Sequence, residues 1–201
     1  MNRIYLVRHP ALLTNGSPTP FMGRTDCLAD AESALGLQPA LMRLRVDRLV
    51  SSPLQRCARL AKDLAEQTNL PLQFDANWQE RDWGAWDGCS VTDIDAHALQ
   101  AYYDAPFDYS IDQAETVDVM QARINQAWLE LVALQQDVLC ITHGGPMRLV
   151  LQQVLGLSNS ALFQLKIHYG TLIGFEVYPT EQGVFAQLCL IQPLLGDKVK
   201  G

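Results

Sequence analysis

Residues 138–156 constrain the fold of this chain most strongly. Val138–Thr142 is a short apolar run typical of a buried strand, and apolar residues at helical spacing follow over 147–155. His143-Gly144-Gly145-Pro146 separates the two segments, and Gly156 predicts the end of the helix. A buried strand that leads into a helix through a glycine turn is typical of an α/β fold.

The rest of the chain repeats this alternation. A short apolar run stops at Arg8-His9-Pro10, and another stops at Ser51-Ser52-Pro53, where we expect Ser52 to cap a helix and Pro53 to take its first position. The pattern predicts a three-layer α/β/α sandwich with a mostly parallel central sheet. The predicted strands are 4–7, 49–50, 172–178 and 184–191, and the predicted helices are 54–65 and 117–134.

The length of 201 residues fits one domain, and 48% hydrophobic residues supply its core. Because no repeat, low-complexity tract or Gly/Ser linker divides the chain, we predict a single domain over residues 1–201. Residues 89–116 are polar, aromatic and irregular, and we expect them to form a small cap over the sheet edge.

Charge and cysteine usage exclude several classes of partner. The net charge of −7 argues against nucleic acid and anionic membrane surfaces, so a local basic pocket must attract any anionic ligand. The five cysteines are odd in number and widely spaced, which argues against a disulfide framework or a zinc site. The N-terminal apolar run is too short for a secretory signal, so we expect a cytoplasmic protein. We expect a monomer or a homodimer, without preference between them.

Several predicted strand ends and helix starts carry side chains suited to a dianionic phosphoryl group. A free imidazole such as that of His9 is a competent nucleophile toward phosphorus. Its reactive nitrogen must be unprotonated, so the other ring nitrogen needs a fixed acceptor such as a backbone carbonyl. Arg8, Arg56 and a protonated His143 supply positive donors, and the Gly144 amide adds an N–H at a helix start. No metal or cofactor is then required.

Glu80 is the candidate acid that gives a proton to the leaving group. Trp78 and Trp83 flank it, and apolar aromatic surroundings disfavour a charged carboxylate. Each of these segments also has an ordinary interpretation. Arg8-His9 alone is a solvated strand end, Arg56 a surface residue, His143-Gly144-Gly145 a tight turn, and Glu80 a loop carboxylate beside an apolar cluster.

Taken together, the motifs resemble the histidine phosphatase superfamily in order and spacing. This superfamily includes cofactor-dependent phosphoglycerate mutases, fructose-2,6-bisphosphatases and α-ribazole phosphatases. The resemblance covers residues 4 to about 155 and implies a phosphoglycerate mutase-like fold. The motifs are LVRHP with Asn15 six residues past His9, SSPLQR at 51–56, ERDWGAWDG at 80–88 and THGGPMR at 142–148.

The resemblance implies a role for each motif residue. His9 becomes phosphohistidine and Glu80 is the proton donor. Arg8, Arg56 and His143 bind the phosphoryl group, and Asn15, Gly23 and the Gly144 amide align with further phosphate contacts.

The chain departs from the family pattern after its histidine, where Pro10-Ala11-Leu12 replaces the usual glycine, glutamate and threonine. Any contact made by those side chains in relatives is therefore absent here. The segment MGRTDCLAD at 22–30 is most similar to the α-ribazole phosphatase branch. On that resemblance Arg24 touches the substrate beyond its phosphate, although a plain loop arginine is an equal alternative.

We predict a metal-independent phosphomonoesterase that acts on a small phosphorylated metabolite, with α-ribazole 5′-phosphate of cobalamin biosynthesis as the leading substrate. The chain is short for a mutase with shielding loops, which favours net hydrolysis. A mutase or a broad-specificity sugar or protein phosphatase on the same fold remains an alternative. A non-catalytic module that binds phospho-ligands is a further alternative, which the presence of both His9 and Glu80 disfavours.

Overall fold

The apolar run near the N-terminus forms an inner strand of a six-stranded mixed sheet in a computed structural model, which describes residues 1–13, 21–181 and 183–195. The strands are β1 (Asn2–Arg8), β2 (Arg48–Ser51), β3 (Leu72–Phe74), β4 (Val138–Thr142), β5 (Thr171–Thr180) and β6 (Gly183–Pro193). The helices are α1 (Ala31–Leu41), α2 (Gln55–Thr68), α3 (Ala96–Asp104), α4 (Val117–Ala133), α5 (Gly144–Leu155) and α6 (Asn159–Leu162).

The strand order is β3-β2-β4-β1-β5-β6. β1 to β4 are mutually parallel where they pair, whereas β5 pairs antiparallel with β1 and with β6. Only two residues separate β5 from β6, and so short a connection can only join antiparallel strands. The predicted α/β fold with a mostly parallel sheet is confirmed, with an antiparallel hairpin at one edge.

Helices cover both faces of this sheet. α1 and α2 pack on the face that contains Val7 and Ile141, and α4 and α5 pack on the face that contains Leu6 and Cys140. All five residues of β4 are buried, as expected for a parallel strand with helices on both sides. The three predicted layers are therefore present.

Residues 89–116 contain α3 and contribute to a third, smaller apolar cluster. Its buried members are Phe21, Ile94, Tyr102 and Ile111. The Tyr102 ring makes edge contacts with four other rings, at centroid distances of 5.6 to 6.4 Å. The division of the chain into one domain over 1–201 stays a prediction.

The start of α2 corrects one local prediction. The helix begins at Gln55 with Leu54 as its N-cap, and Leu54 has no capping side chain of its own. The Asp26 carboxylate accepts the Gln55 amide instead, at 2.8 Å. Ser52 therefore lies too early to be the N-cap, and Pro53 precedes the helix instead of occupying its first position. The Ser52 hydroxyl lies 2.8 Å from a ring nitrogen of His143, so the residue belongs to the site described below.

Two glycines with positive φ give a matched test of this packing. A Cβ on Gly84 (φ +54°) would lie 2.1 Å from the Asp112 carbonyl oxygen, whereas one on Gly156 (φ +64°) would meet nothing within 4 Å. Both alanine substitutions place a side chain on left-handed backbone, which is strained, but only Gly84→Ala adds a clash. We therefore expect losses in unfolding free energy of about 3 kcal/mol for Gly84→Ala and about 1 kcal/mol for Gly156→Ala. Urea denaturation measures both, and equal losses would contradict this packing.

Candidate active site

The parallel pairing of β1 with β4 brings two histidines together at the carboxyl edge of the sheet. Arg8 pairs with Thr142, and the His9 amide donates to the Thr142 carbonyl at 2.9 Å. His143 directly follows β4, and its ring centroid lies 5.1 Å from that of His9. Chemistry at the carboxyl ends of strands is typical of open α/β sheets.

The His9 imidazole is buried, and one of its nitrogens has a fixed partner. Nδ1 lies 2.7 Å from the carbonyl oxygen of Pro10, which is the kind of backbone acceptor that the sequence analysis required. With the proton on Nδ1, Nε2 carries a lone pair. Burial, reinforced by the charges of Arg8 and Arg56, lowers the pKa of His9 well below its ordinary value. The ring is therefore neutral, which is the nucleophilic form.

Arg56, in the first turn of α2, is buried, and its guanidinium contacts the Cys27 sulfur and three stronger acceptors. Nη2 donates to the Gly23 carbonyl, Nη1 to the Thr25 carbonyl at 2.9 Å, and Nε to Nδ1 of His143 at 3.2 Å. This side chain therefore joins the loop after residue 22 to the end of β4.

His143 is neutral in this arrangement. Its Nδ1 accepts from Arg56, and its Nε2 lies 2.8 Å from the Ser52 hydroxyl. Burial first, and then the positive charges nearby, lower the pKa of His143 well below its ordinary value. In this structure His143 is therefore an acceptor for Arg56, and the predicted protonated His143 that donates to a phosphoryl group stays a prediction.

Arg8 sits between a carbonyl, an aromatic ring and the start of α5. Its Nη1 donates to the Ile167 carbonyl at 2.5 Å, and its Cζ lies 4.0 Å from the Tyr169 ring centroid. Within the described part of the chain, the buried Nε of Arg8 has no hydrogen-bond partner. A Cβ on Gly144 would lie 3.5 Å from this guanidinium, so the helix start and the cation are in close contact. An unpaired buried cationic donor favours an anionic ligand.

Both carboxylate oxygens of Glu80 accept backbone N–H groups. Oε1 accepts from Arg81 and Oε2 from Gly145, each at 3.0 Å. A Cβ on Gly145 would lie 2.0 Å from Oε1, so this position of Glu80 requires glycine there. The expected tryptophan environment is therefore replaced by peptide donors. Trp78 is buried in the apolar cluster that contains residues of α4 and α5, and Trp83 packs against Phe21.

Asp87 organises the loop that carries Gly23 and Arg24. Its carboxylate accepts the amides of Gly23, Arg24 and Thr25 at 3.3, 2.7 and 2.9 Å. Burial alone would raise the pKa of Asp87, but hydrogen bonds from Thr25, Arg24 and Trp83 lower it. A charged Asp87 therefore fixes the loop whose carbonyls hold Arg56.

Three predicted site residues remain, and the structure describes two of them, Gly23 and Arg24. The Gly23 amide donates to Asp87, and its carbonyl accepts from Arg56, so Gly23 affects the site through that arginine. Arg24 lies 3.4 Å from Asp82 in an exposed ion pair and is not part of the cavity wall described next. Asn15 lies outside the described residues.

A cavity of about 760 Å³ opens above His9. Arg8, His9, Glu80 and Gly144 lie in its wall together with Arg81 and Arg148, whereas Arg56 and His143 are buried beside them. Aromatic side chains from the cap, α6 and the strand ends form much of the remaining wall. They are Phe21, Trp83, Tyr102, Tyr103, Phe107, Phe163 and Tyr169.

Several residues of the site had no assigned role in the sequence analysis. Asp87 lies inside the ERDWGAWDG motif, so the motif itself was a usable signal. Arg148 follows Gly144 by four residues, which places both on one face of α5. Ser52 precedes a proline in a recognised motif, but Tyr169 lies in a segment with no motif and no periodic pattern.

A buried neutral imidazole, clustered arginines and a carboxylate at the carboxyl edge of a mixed sheet form the arrangement expected of phosphoryl-transfer enzymes that work through histidine. The profile of the histidine phosphatase superfamily (branch 1) matches residues 4–187. The chain belongs to this superfamily and is a histidine phosphatase.

Individual relatives are distant. The adenosylcobalamin/alpha-ribazole phosphatase of Escherichia coli is 23% identical over 188 residues, covering 87% of this chain and 90% of that protein. Mycobacterial glucosyl-3-phosphoglycerate phosphatase has a TM-score of 0.81 at 22% identity, covering 94% of this chain and 97% of the other. The alpha-ribazole phosphatase of Shigella flexneri has a TM-score of 0.80 at 20% identity, covering 94% and 95%. The two solved structures show the fold alone.

Two features that the described residues lack bear on ligands and membranes. In that part of the chain, no group of three or more His, Cys, Asp or Glu side chains is placed to hold a metal ion. None of the helices found there is both long and apolar enough to cross a bilayer. Metal independence itself stays a prediction.

The two buried imidazoles make stability depend on pH. An unfolded chain protonates His9 and His143 near their ordinary value of about 6.5, whereas the folded chain does so only well below it. The unfolding free energy is therefore fully present above that pH and falls as pH drops through it, by up to about 1.4 kcal/mol per unit for each histidine. Urea denaturation at several pH values between 7.5 and 5.5 should show a shallower fall for His9→Asn than for the unsubstituted protein, and parallel curves would contradict the buried neutral ring.

Proposed function

We propose that this protein is a metal-independent phosphomonoesterase that forms a phosphohistidine at His9. The main support is the neutral, buried imidazole of His9, which the Pro10 carbonyl orients. It shares the cavity wall with Arg8, whose Nε has no hydrogen-bond partner among the described residues. Nε2 attacks phosphorus and the bond from phosphorus to the leaving oxygen breaks. Arg8 and the amide at the start of α5 supply the charge and donors that the equatorial oxygens need.

Glu80 is the proton source in this proposal. It is the one carboxylate among the described residues of the cavity wall, and Gly145 fixes it at the start of the same helix that carries Gly144. Glu80 gives its proton to the leaving oxygen. In the second step the resulting carboxylate takes a proton from water, and the water oxygen attacks phosphorus. The bond from phosphorus to His9 Nε2 then breaks, which releases inorganic phosphate and restores the imidazole.

α-Ribazole 5′-phosphate is the substrate that we propose. Its leaving group combines a sugar with a flat aromatic base, and the cavity combines arginines near His9 with a wall rich in aromatic rings. Phe107 and Phe163 stand edge to face there at a centroid distance of 5.1 Å. The resemblance of 22–30 to the α-ribazole branch and the name of the Escherichia coli relative support the same substrate class.

The proposal extends to the setting of the enzyme. We propose a cytoplasmic location, supported by five cysteines that are all free, two of them buried. The partner is a small phosphorylated metabolite and not nucleic acid or a membrane, in keeping with a net charge of −7. The protein works as a monomer or a homodimer.

Replacement of His9 tests the mechanism. We expect His9→Ala to lower phosphate release by at least about 10³-fold without added metal and in the presence of EDTA, because the nucleophile is lost. His97→Ala removes an exposed histidine of α3 and serves as the control, with unchanged activity expected. Acid-labile phosphate should be trapped on the protein after brief exposure to substrate, and on His97→Ala but not on His9→Ala.

Retention of most activity by His9→Ala would exclude the mechanism. A protein that binds the phosphate ester without ever becoming phosphorylated would be the non-catalytic module instead.

The aromatic wall predicts the substrate preference. We expect kcat/KM for α-ribazole 5′-phosphate to exceed that for ribose 5-phosphate by about tenfold or more, because burying the base adds apolar contact. Phe163 is 55% exposed, so Phe163→Ala should leave the fold intact and reduce this preference. Equal kcat/KM for the two substrates would reject the riboside, and faster hydrolysis of a glucosyl phosphoglycerate would favour a sugar phosphatase.

A further inference from the structure

The guanidinium of Arg123, on α4, binds Glu115 and the backbone of the segment that carries Glu80. Its Nε donates to Glu115 Oε1 at 2.6 Å and its Nη2 to Glu115 Oε2 at 2.8 Å, which is a bidentate ion pair. Both side chains are nearly buried, with exposed fractions of 12% and 6%. This geometry is the strong form of an arginine–carboxylate contact.

The remaining donors of Arg123 reach three backbone carbonyls. Nη1 donates to Asn77 at 2.6 Å and to Gln79 at 2.8 Å, and Nη2 donates to Glu80 at 3.1 Å. With the two bonds to Glu115, all five N–H donors of an arginine are in use. No sheet or helix ladder exists at residues 79–83, so the arginine takes the place of regular secondary structure there.

Glu115 holds the same segment from its other end. Its carbonyl accepts from Arg81 Nε at 2.8 Å, and its amide donates to the Asp82 carbonyl at 3.0 Å. Glu115 Oε2 also lies 3.4 Å from the Asp82 amide. The chain on both sides of Glu80 is therefore fixed to one buried ion pair.

We propose that Arg123 is a positioning residue for Glu80: with Glu115 it holds the 77–82 backbone where the Glu80 carboxyl meets the leaving oxygen of the substrate. Arg123 itself does not line the cavity, so it acts only through Glu80. A buried ion pair adds little net stability compared with apolar residues of the same size, but it defines position well. Misplacement of a reacting group by about 1 Å costs about 10²-fold in rate. The inference rests on the proposed function, because it needs Glu80 as the acid.

The test compares leaving groups, since only a poor leaving group needs the proton from Glu80. The kcat/KM values of Glu80→Gln, Arg123→Lys and Glu115→Gln are measured with an aryl phosphate, p-nitrophenyl phosphate, and with a simple alkyl phosphate. We expect Arg123→Lys to lower the alkyl value by about 10 to 100-fold and the aryl value by less than about threefold. Glu115→Gln keeps its shape and should show the same split more weakly, which covers the case that Arg123→Lys folds poorly.

The double variant and a control complete the design. If Arg123 acts through Glu80, Arg123→Lys should add almost nothing to the alkyl phosphate loss already caused by Glu80→Gln. Arg59→Lys changes an exposed arginine of α2 and should leave both values unchanged.

The possible failures are distinguishable. Equal slowing of both substrates by Arg123→Lys and Glu115→Gln, with the split present in Glu80→Gln, would make the ion pair merely structural and overturn this inference alone. An additive loss in the double variant would do the same. Equal slowing of both substrates by Glu80→Gln itself would remove Glu80 from the acid role, and would overturn the proposed mechanism together with the positioning role.

Discussion

The pairing of β1 with β4 is the constraint on which the active site depends. β4 is buried throughout and β1 buries side chains on both faces, such as Leu6 and Val7, so a slip of one residue would exchange the side chains that face the two helical layers. The core therefore fixes the register, and the register places the His9 amide on the Thr142 carbonyl. The two imidazoles then lie side by side without any direct hydrogen bond between them. Hydrophobic packing thus selects the register, and the backbone hydrogen bonds of the paired strands then set the spacing of the two rings.

The buried cations are held mainly by carbonyl oxygens. Arg56 donates to the carbonyls of Gly23 and Thr25, and Arg8 donates to that of Ile167. A carboxylate in these positions would cancel the positive charge, whereas a carbonyl fixes the guanidinium and leaves its field intact. That field serves two purposes in a protein of net charge −7: it attracts a phosphoryl dianion, and it keeps the His9 ring neutral.

The sequence predicted the elements that carry a strong local pattern. The strand at 138–142 and the amphipathic helix from residue 117 are where the spacing indicated. α1 was not predicted because Gly36 and Pro39 interrupt its pattern, although the Asp30 side chain caps it. The motif residues His9 and Glu80 reach one cavity, but the state of His143 and the partners of Glu80 depend on contacts between distant segments. Tyr169 has no local signal, since its role exists only where its ring meets Arg8.

The active site joins two kinds of structure with different origins. Its reactive floor comes from strand ends and a helix start, where buried strands and a backbone amide leave little freedom for change. Much of its aromatic wall comes from the segment around α3 and from Phe163 directly after α6, which lie outside the β1–β4 pairing. Phe21, Trp83 and Tyr169 complete this wall from other loops. Substitutions in the wall can therefore change the shape of the cavity without moving His9. Ion pairs such as that of Arg123 and Glu115 connect the two parts. The loop that carries Glu80 belongs to the floor, whereas Glu115 lies at the end of the segment 89–116.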